Sequence, residues 1–209
     1  MFALIKSLLF RGTITAVVLG ILFTVFFLEE WPQKDLRSEL GTLKSANPAE
    51  ELWVEVSLQR MVLEVKNGEE TLWRFDIGFG RGAIGRASAE VEGTPLGEYR
   101  IIKKESRTDL FGRGARFLQF DYPNEDDADR AVASGLITPD DCRRIFRAHA
   151  VNEAPPTDTP LGGPLGLQGN LFAFVGRRFT DGSVAVNNGD LIALYEVLPV
   201  GTRVVITDR

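Results

Sequence analysis

The residues best suited to chemistry are scarce in this chain. Cys142 and His149 are its only cysteine and its only histidine. A lone cysteine cannot form an intrachain disulfide, and the two residues together cannot supply a zinc site. Cys142 follows Thr138-Pro139-Asp140-Asp141, a helix-start pattern, so we interpret it as a packed thiol rather than a nucleophile. His149 ends the same predicted helix, where the dipole favours a cation.

Two further motifs have ordinary structural interpretations. Glu125, Asp126 and Asp127 follow Asn124, which indicates a capped helix start rather than a cation site. The glycine-rich run 78–82 has no Gly-Lys-Ser/Thr ending and no helical pattern after it, so it is not a phosphate loop. We therefore expect no metal and no cofactor.

The elements that must position any site are mainly strands. Alternating patterns predict strands over 52–58, 61–66, 71–77, 98–103, 117–122, 165–168 and 203–207. Asn67-Gly68 is a hairpin signal. Helices are predicted from Asn124 to Gly135, over 139–149, and over 190–198 with Asn188 as the cap. Strands and helices do not alternate, which predicts a mainly β (α+β) curved sheet with helical insertions.

The N-terminus has a different character. Residues 12–28 contain no charge and would span roughly 26 Å as a helix, close to the bilayer's hydrocarbon core. Lys6 and Arg11 precede this run, and Glu29 and Glu30 follow it, so the positive-inside rule places residues 1–11 in the cytoplasm. A cleaved signal peptide is the alternative, but bulky residues occupy its cleavage region. We expect a transmembrane anchor over 12–28, a juxtamembrane linker over 29–50 and a domain over 51–209. A short helix around Asp35 to Leu43 is the alternative for the linker.

Charge argues against a nucleic-acid partner. The whole chain carries −5, and Lys6 and Arg11 are the only charges up to Leu28, so the residues after Leu28 carry −7. An acidic domain of this kind is a poor match for a phosphate backbone.

Four segments, in order, resemble the catalytic domain of the L,D-transpeptidases, bacterial enzymes that cross-link or remodel peptidoglycan. The first is the early strand-hairpin that leads to Gly78-Phe79-Gly80. The second is Thr94-Pro95-Leu96-Gly97-Glu98-Tyr99, and the third is Tyr122-Pro123-Asn124 with its helical insertion. The fourth is Thr180-Asp181-Gly182-Ser183-Val184, near the C-terminus. Together they cover about residues 52–207 and imply an L,D-transpeptidase-like fold.

The resemblance assigns roles to individual positions. In active members a cysteine attacks a peptide carbonyl, and a histidine serves as its base. The cysteine position is Ser183 here, and the histidine position is Gln168. Asp181 and Gly182 match residues that flank the nucleophile, and Gly169 follows the histidine position. We expect these three to contact substrate.

The two replacements act together. A serine hydroxyl is a much weaker acid than a thiol and needs a positioned base. Glutamine cannot take a proton at neutral pH, although its amide can donate and accept hydrogen bonds. His149 folding over the site, or Lys103 or Lys104 forming a Ser-Lys pair, are the alternatives that would supply a base.

We therefore expect a single-pass inner-membrane protein whose domain lies outside the cytoplasm. The expected role is binding of peptidoglycan stem peptides, or regulation of envelope proteins, without cysteine-type catalysis. Two alternatives remain open from the sequence. One is an active enzyme that uses Ser183 for peptidoglycan acyl transfer or amide hydrolysis. The other is a structural partner domain with a vestigial groove.

Overall fold

Strands dominate the computed structural model, which describes residues 17–20, 36, 38–39, 52–85, 88–106, 116–170 and 177–209. The strands are β1 Leu52–Ser57, β2 Val62–Asn67, β3 Glu70–Asp76, β4 Phe79–Gly80, β5 Gly97–Ser106, β6 Arg116–Phe120, β7 Gly166–Asn170, β8 Arg178–Thr180, β9 Val184–Asn187 and β10 Arg203–Thr207. The helices are α1 Glu125–Ala133, α2 Pro139–Ala150 and α3 Asn188–Val197, with a short 3-10 turn at Ala89–Val91. The predicted mainly β fold is confirmed.

Eight strands form one mixed sheet in the order β3-β2-β1-β10-β5-β6-β7-β9. The pairs β1–β10 and β7–β9 are parallel, and the other pairs are antiparallel. β4 and β8 form a separate two-stranded sheet. The long sheet curls, so that its two end strands β3 and β9 contact each other. Just after β3, Gly78 and Ala185 exchange two backbone hydrogen bonds of 2.8 Å, which closes the curve beside β9.

The core lies inside this curve. Alternate residues of the strands point inward, as the period of two requires. The inward positions of β1, β2, β3 and β10 are fully or almost fully buried: Val54, Val56, Leu63, Val65, Trp73, Phe75, Val204 and Ile206. α3 packs against β6, β7 and β9, with Leu191 and Leu194 completely buried. A smaller apolar cluster, which includes Ile145 and Leu161, holds α1 and α2 together.

Several local signals read from the sequence are confirmed. Gly68 adopts a left-handed φ of 59° at the predicted β2–β3 hairpin. Asn124 and Thr138 cap α1 and α2, and each accepts a hydrogen bond from the backbone three residues on. The predicted cap of α3 is wrong: Asn188 lies inside the helix, and Asn187 precedes it without a side-chain cap. The reason is that Asn187 still pairs with Asn170 in the β7–β9 ladder, so the chain passes directly from strand to helix.

The N-terminal predictions lie largely outside the described residues. Of the predicted anchor, the structure describes residues 17–20, which are helical and exposed. Among the described residues, no helix has the length and apolar character needed to cross a membrane.

Candidate active site

Ser183 lies on a tight turn between β8 and β9. Gly182 takes a left-handed φ of 128° on this turn, which glycine adopts without strain. The Thr180 hydroxyl fixes the turn from inside, because it donates to the Ser183 carbonyl at 2.5 Å and accepts from the Gly182 N–H at 3.3 Å. Ser183 is only 2% exposed, whereas Asp181 at the tip of the turn is exposed.

Gln168 lies on the strand next to this turn. In the parallel β7–β9 ladder Gln168 is level with Ala185, and Leu167 is level with Val184. Since residues two apart in a strand share a face, Gln168 lies on the same side of the sheet as Ser183. Gln168 is 7% exposed, and Gly169 beside it is also buried. The structure thus brings together all five predicted site residues, on one turn and the adjacent strand.

Thr94 holds the strand that pairs with β8, a role that sequence reasoning missed. Its hydroxyl accepts a hydrogen bond from the Gly80 N–H at 2.9 Å. A side chain at Gly80 would place its Cβ 2.6 Å from the Glu92 carbonyl oxygen, so only glycine fits there. The Thr-Pro-Leu-Gly motif signalled a turn, and its threonine was the available clue to this contact.

The predicted alternative bases are engaged elsewhere. His149 Nε2 lies 2.9 Å from the Pro123 carbonyl oxygen, at the last turn of α2. Lys103 pairs with Glu105 at 2.9 Å. Lys104 caps the end of α3, where its Nζ contacts the Leu198 carbonyl oxygen at 3.0 Å. Burial lowers the pKa of Lys104, but its amine is committed to this helix end.

His149 belongs to a separate polar cavity of about 350 Å³. The residues that line this cavity are Arg100, Asp121, Asn124, Glu125, Asp126, His149 and Asn152. Neither Ser183 nor Gln168 is among them. The interpretation of His149 as a helix-terminal residue is consistent with this placement.

Cys142 and Asp127 also have structural roles. Cys142 is half-buried on α2, and burial raises the pKa of its thiol, which disfavours the reactive thiolate. Asp127 completes the capping box of α1 and accepts from the Tyr99 hydroxyl at 3.1 Å. Burial raises the pKa of Asp127, against the lowering influence of the Asn124 backbone and Arg130. In the ranges that the structure describes, no group of three His, Cys, Asp or Glu residues is arranged to hold a metal ion.

Ser183 and Gln168 can therefore both form hydrogen bonds, and neither side chain is a base at neutral pH. Within the described part of the chain, no basic side chain contacts the Ser183 hydroxyl. A hydroxyl, a carboxamide and the backbone of a tight turn can recognise a peptide.

Comparisons with known proteins agree with this architecture. The family model of the L,D-transpeptidase catalytic domain (YkuD) matches residues 50–206. No curated protein matches the chain. Bd1075 of Bdellovibrio bacteriovorus is 19% identical over 78% of this chain and 50% of its own, with a TM-score of 0.52. The helical cell shape determining protein Pgp2 of Campylobacter jejuni is 16% identical over 76% and 48%, with a TM-score of 0.52.

An L,D-transpeptidase from Xylanimonas cellulosilytica is 15% identical over 76% of this chain and 61% of its own, with a TM-score of 0.46. The chain therefore spans about half to three fifths of the length of these solved structures. At these identities the likeness of Bd1075 and Pgp2 concerns the fold.

Proposed function

Since this chain belongs to the L,D-transpeptidase catalytic-domain family, we propose that it is a non-catalytic member that binds peptidoglycan stem peptides beside Ser183 and Gln168. In this proposal Ser183 occupies the nucleophile position and Gln168 the position of the histidine base. The bound peptide is held, and its amide bonds remain intact.

The observation that carries the proposal is the neutral pair on adjacent strands. Ser183 precedes β9 and Gln168 lies in β7, on one face of the sheet. Ser183 needs a base to become a nucleophile, and the glutamine amide cannot accept its proton at neutral pH. Loss of one member of a nucleophile–base pair costs several orders of magnitude in rate, and loss of both removes the mechanism.

Peptide binding uses the groups that remain. The Gln168 amide both donates and accepts, and the Ser183 hydroxyl does the same, so the pair matches the alternating N–H and C=O groups of a peptide. Neither side chain is hydrogen-bonded to another described residue. The Asp181 carboxylate is exposed on the same turn and would attract an amine of the stem peptide. Gly182 and Gly169 allow a ligand to approach the backbone closely.

The proposed location follows from the N-terminal sequence. Residues 12–28 would anchor the chain in the bacterial inner membrane, with residues 1–11 in the cytoplasm. The linker 29–50 and the domain 51–209 would then lie in the periplasm, where stem peptides and envelope proteins are available as partners. Pgp2, one protein of similar fold, is a helical cell shape determining protein.

Titration of the full chain with synthetic stem peptides and with purified sacculi tests the proposal. We expect saturable binding that Ser183→Ala weakens, with the peptides recovered uncleaved. Gln168→Leu should also weaken binding, because it removes the amide. Ser134→Ala and Gln59→Leu make the same two changes outside the site and should bind normally. A wild-type chain that binds neither peptides nor sacculi would refute the binding role.

Intact-mass measurement separates the proposal from an active serine enzyme. Incubation with a carbapenem or an acyl substrate should leave the mass unchanged, because Ser183 has no base. A stoichiometric adduct that disappears in Ser183→Ala would show instead that Ser183 is a nucleophile. If Ser183→Leu leaves cellular function intact, the structural-partner alternative is favoured.

A further inference from the structure

Leu36, Ser38 and Glu39 are helical and lie against the domain, although they precede the family match at 50–206. Leu36 is completely buried and belongs to the same apolar cluster as Trp73 and Phe75 of β3. The Trp73 indole N–H donates to the Glu39 carboxylate at 2.5 Å. The burial of Leu36 in this cluster and the charge-assisted hydrogen bond of Glu39 therefore join this segment to the domain.

The Glu39–Trp73 contact lies midway along β3, away from the strand end that leads toward the Ser183 turn. Trp73 of β3 pairs with Val65 of β2, which pairs in turn with Val54 of β1. Gly78, which pairs with Ala185 beside the Ser183 turn, is five residues further along the chain from Trp73. At about 3.3 Å per residue this separation is roughly 16 Å.

We infer that Leu36, Ser38 and Glu39 form a docked plug, which packs against the domain at Trp73 and shortens the tether between the N-terminal apolar run and the domain. Leu36 is eight residues after Leu28, so an extended tether would reach about 27 Å. With the segment undocked, the tether would extend from Leu28 to Leu52 and would reach about 80 Å.

This tether length has a functional consequence that rests on the anchor proposed above. With residues 12–28 in the membrane, the docked plug would hold the domain close to the bilayer. The peptides within reach would then be those in the membrane-proximal layer of the cell wall.

Thermal unfolding of the full chain tests the plug. Leu36→Ala should lower the Tm by about 4–20 °C, as expected for a buried leucine in a chain of this size. Val200→Ala is the matched control, because it truncates an apolar side chain that is 58% exposed, and it should change the Tm by no more than about 1 °C. Equal small shifts in the two variants would overturn the inference.

A double-mutant cycle isolates the hydrogen bond. Glu39→Ala and Trp73→Phe should give Tm shifts that are not additive, because each removes the same Glu39–Trp73 contact. Purely additive shifts would contradict the contact.

Spin labels measure docking without destabilising the core. In a Cys142→Ser background, labels at Ser38→Cys and Gln59→Cys should give one narrow distance distribution in double electron–electron resonance. Leu36→Asp should broaden it. A broad distribution with Leu36 intact would reject the plug. Membrane fractionation tests the anchor separately: a soluble chain with a narrow distribution would reject the anchor and retain the plug.

Discussion

Glu64 and Ser183 are both buried polar residues of the same curved sheet, but their surroundings are opposite in character. Glu64, on β2, is 3% exposed and meets three cations: Arg74 Nε at 2.8 Å, Arg60 at 3.5 Å and Lys66 at 3.9 Å. Ser183 is 2% exposed, and its turn is held by the neutral Thr180 hydroxyl. Glu64 is thus paired with cations directly, whereas the Thr180 hydrogen bonds that hold the Ser183 turn come from a neutral hydroxyl.

This difference supports the proposal that the site binds peptides without cleaving them. Burial alone would raise the pKa of Glu64, but the Arg74 hydrogen bond and the charges of Arg60, Arg74 and Lys66 outweigh it and lower the pKa. A nucleophile needs similar help from a charged or basic neighbour. The described neighbours of Ser183 supply none, so its hydroxyl remains a neutral hydrogen-bonding group.

The largest expected effect comes from placing an ionisable cysteine–histidine pair at positions 183 and 168. Ser183→Cys combined with Gln168→His should raise the rate of acyl transfer or hydrolysis on stem peptides by at least about 10³-fold. The physical reason is that a thiol beside an imidazole ionises near neutral pH. A peptide-release assay and intact mass after carbapenem treatment measure the gain.

The controls for this gain are the two single variants and a displaced pair. Each single variant should gain far less than the double variant, since thiolate and base act as a unit. Ser134→Cys with Gln59→His introduces the same residue types elsewhere and should gain nothing. If the double variant binds peptide yet stays inert, the geometry around the pair has diverged as well.

The next largest effect should come from removing the buried charge of Glu64 on β2. Glu64→Gln should lower the free energy of unfolding by about 2 kcal/mol, because it weakens a buried, charge-assisted hydrogen bond to Arg74. Glu98→Gln is the matched control: Glu98 pairs with Arg203 at 2.8 Å, but its side chain is 51% exposed. Exposed pairs contribute about 0–1 kcal/mol. Urea denaturation at neutral pH compares the two losses, and equal losses would contradict the role given to burial.

The pH dependence of Glu64→Gln should follow the direction of the pKa shift. Because the folded state lowers the pKa of Glu64, its stabilisation is complete above the unfolded value near 4.5 and is lost as the pH falls through the lower folded value. The difference in the free energy of unfolding between wild type and Glu64→Gln should therefore become smaller below pH 4.5. If this difference in the free energy of unfolding stays constant down to pH 3, the charge of Glu64 is not the cause of the difference.

Local signals account for what the sequence predicted well. Asn67-Gly68 requires a hairpin whatever surrounds it, and Asn124 and Thr138 cap their helices through contacts three residues away. Gln168 and Ser183 were paired through a family resemblance, and the β7–β9 register places them on adjacent strands. Short-range chemistry and a recurrent motif were sufficient in these cases.

Contacts between distant segments account for most of what the sequence did not reveal. Thr94 bonds Gly80 across fourteen positions, and Leu36 enters the core beside β3 from outside the predicted domain. Nothing in the local pattern around Leu36 distinguishes a docked helix from a free linker. The curling of the sheet that brings β3 against β9 likewise depends on the whole strand order.

A smaller effect should come from removing the Thr180 hydroxyl, which holds the Ser183 turn through two neutral hydrogen bonds. Thr180→Val should lower the free energy of unfolding by about 1–2 kcal/mol, because the Ser183 carbonyl and the Gly182 N–H both lose a buried partner. Thr180→Ser keeps the hydroxyl and should lose much less, which separates the hydrogen bonds from the volume of the side chain. Stem-peptide affinity should fall in Thr180→Val as well, since the turn carries Ser183. Normal stability and affinity in that variant would mean that the turn is fixed by other contacts.

The smallest expected effect tests an intermediate case, a partly buried carboxylate without a close ion pair. Asp121 accepts the Arg100 backbone N–H at 2.8 Å, and burial raises its pKa despite that bond and the nearby charges of His149 and Arg100. A raised pKa means that the ionised form costs stability at neutral pH, and this cost disappears as the pH falls through the folded value. Asp121→Asn keeps the accepting oxygen without the charge, so it should raise the free energy of unfolding at pH 7 by up to about 1 kcal/mol. The same change at the exposed Asp76 should be neutral, and a loss of stability in Asp121→Asn would show that this carboxylate, like Glu64, is stabilised by its neighbours.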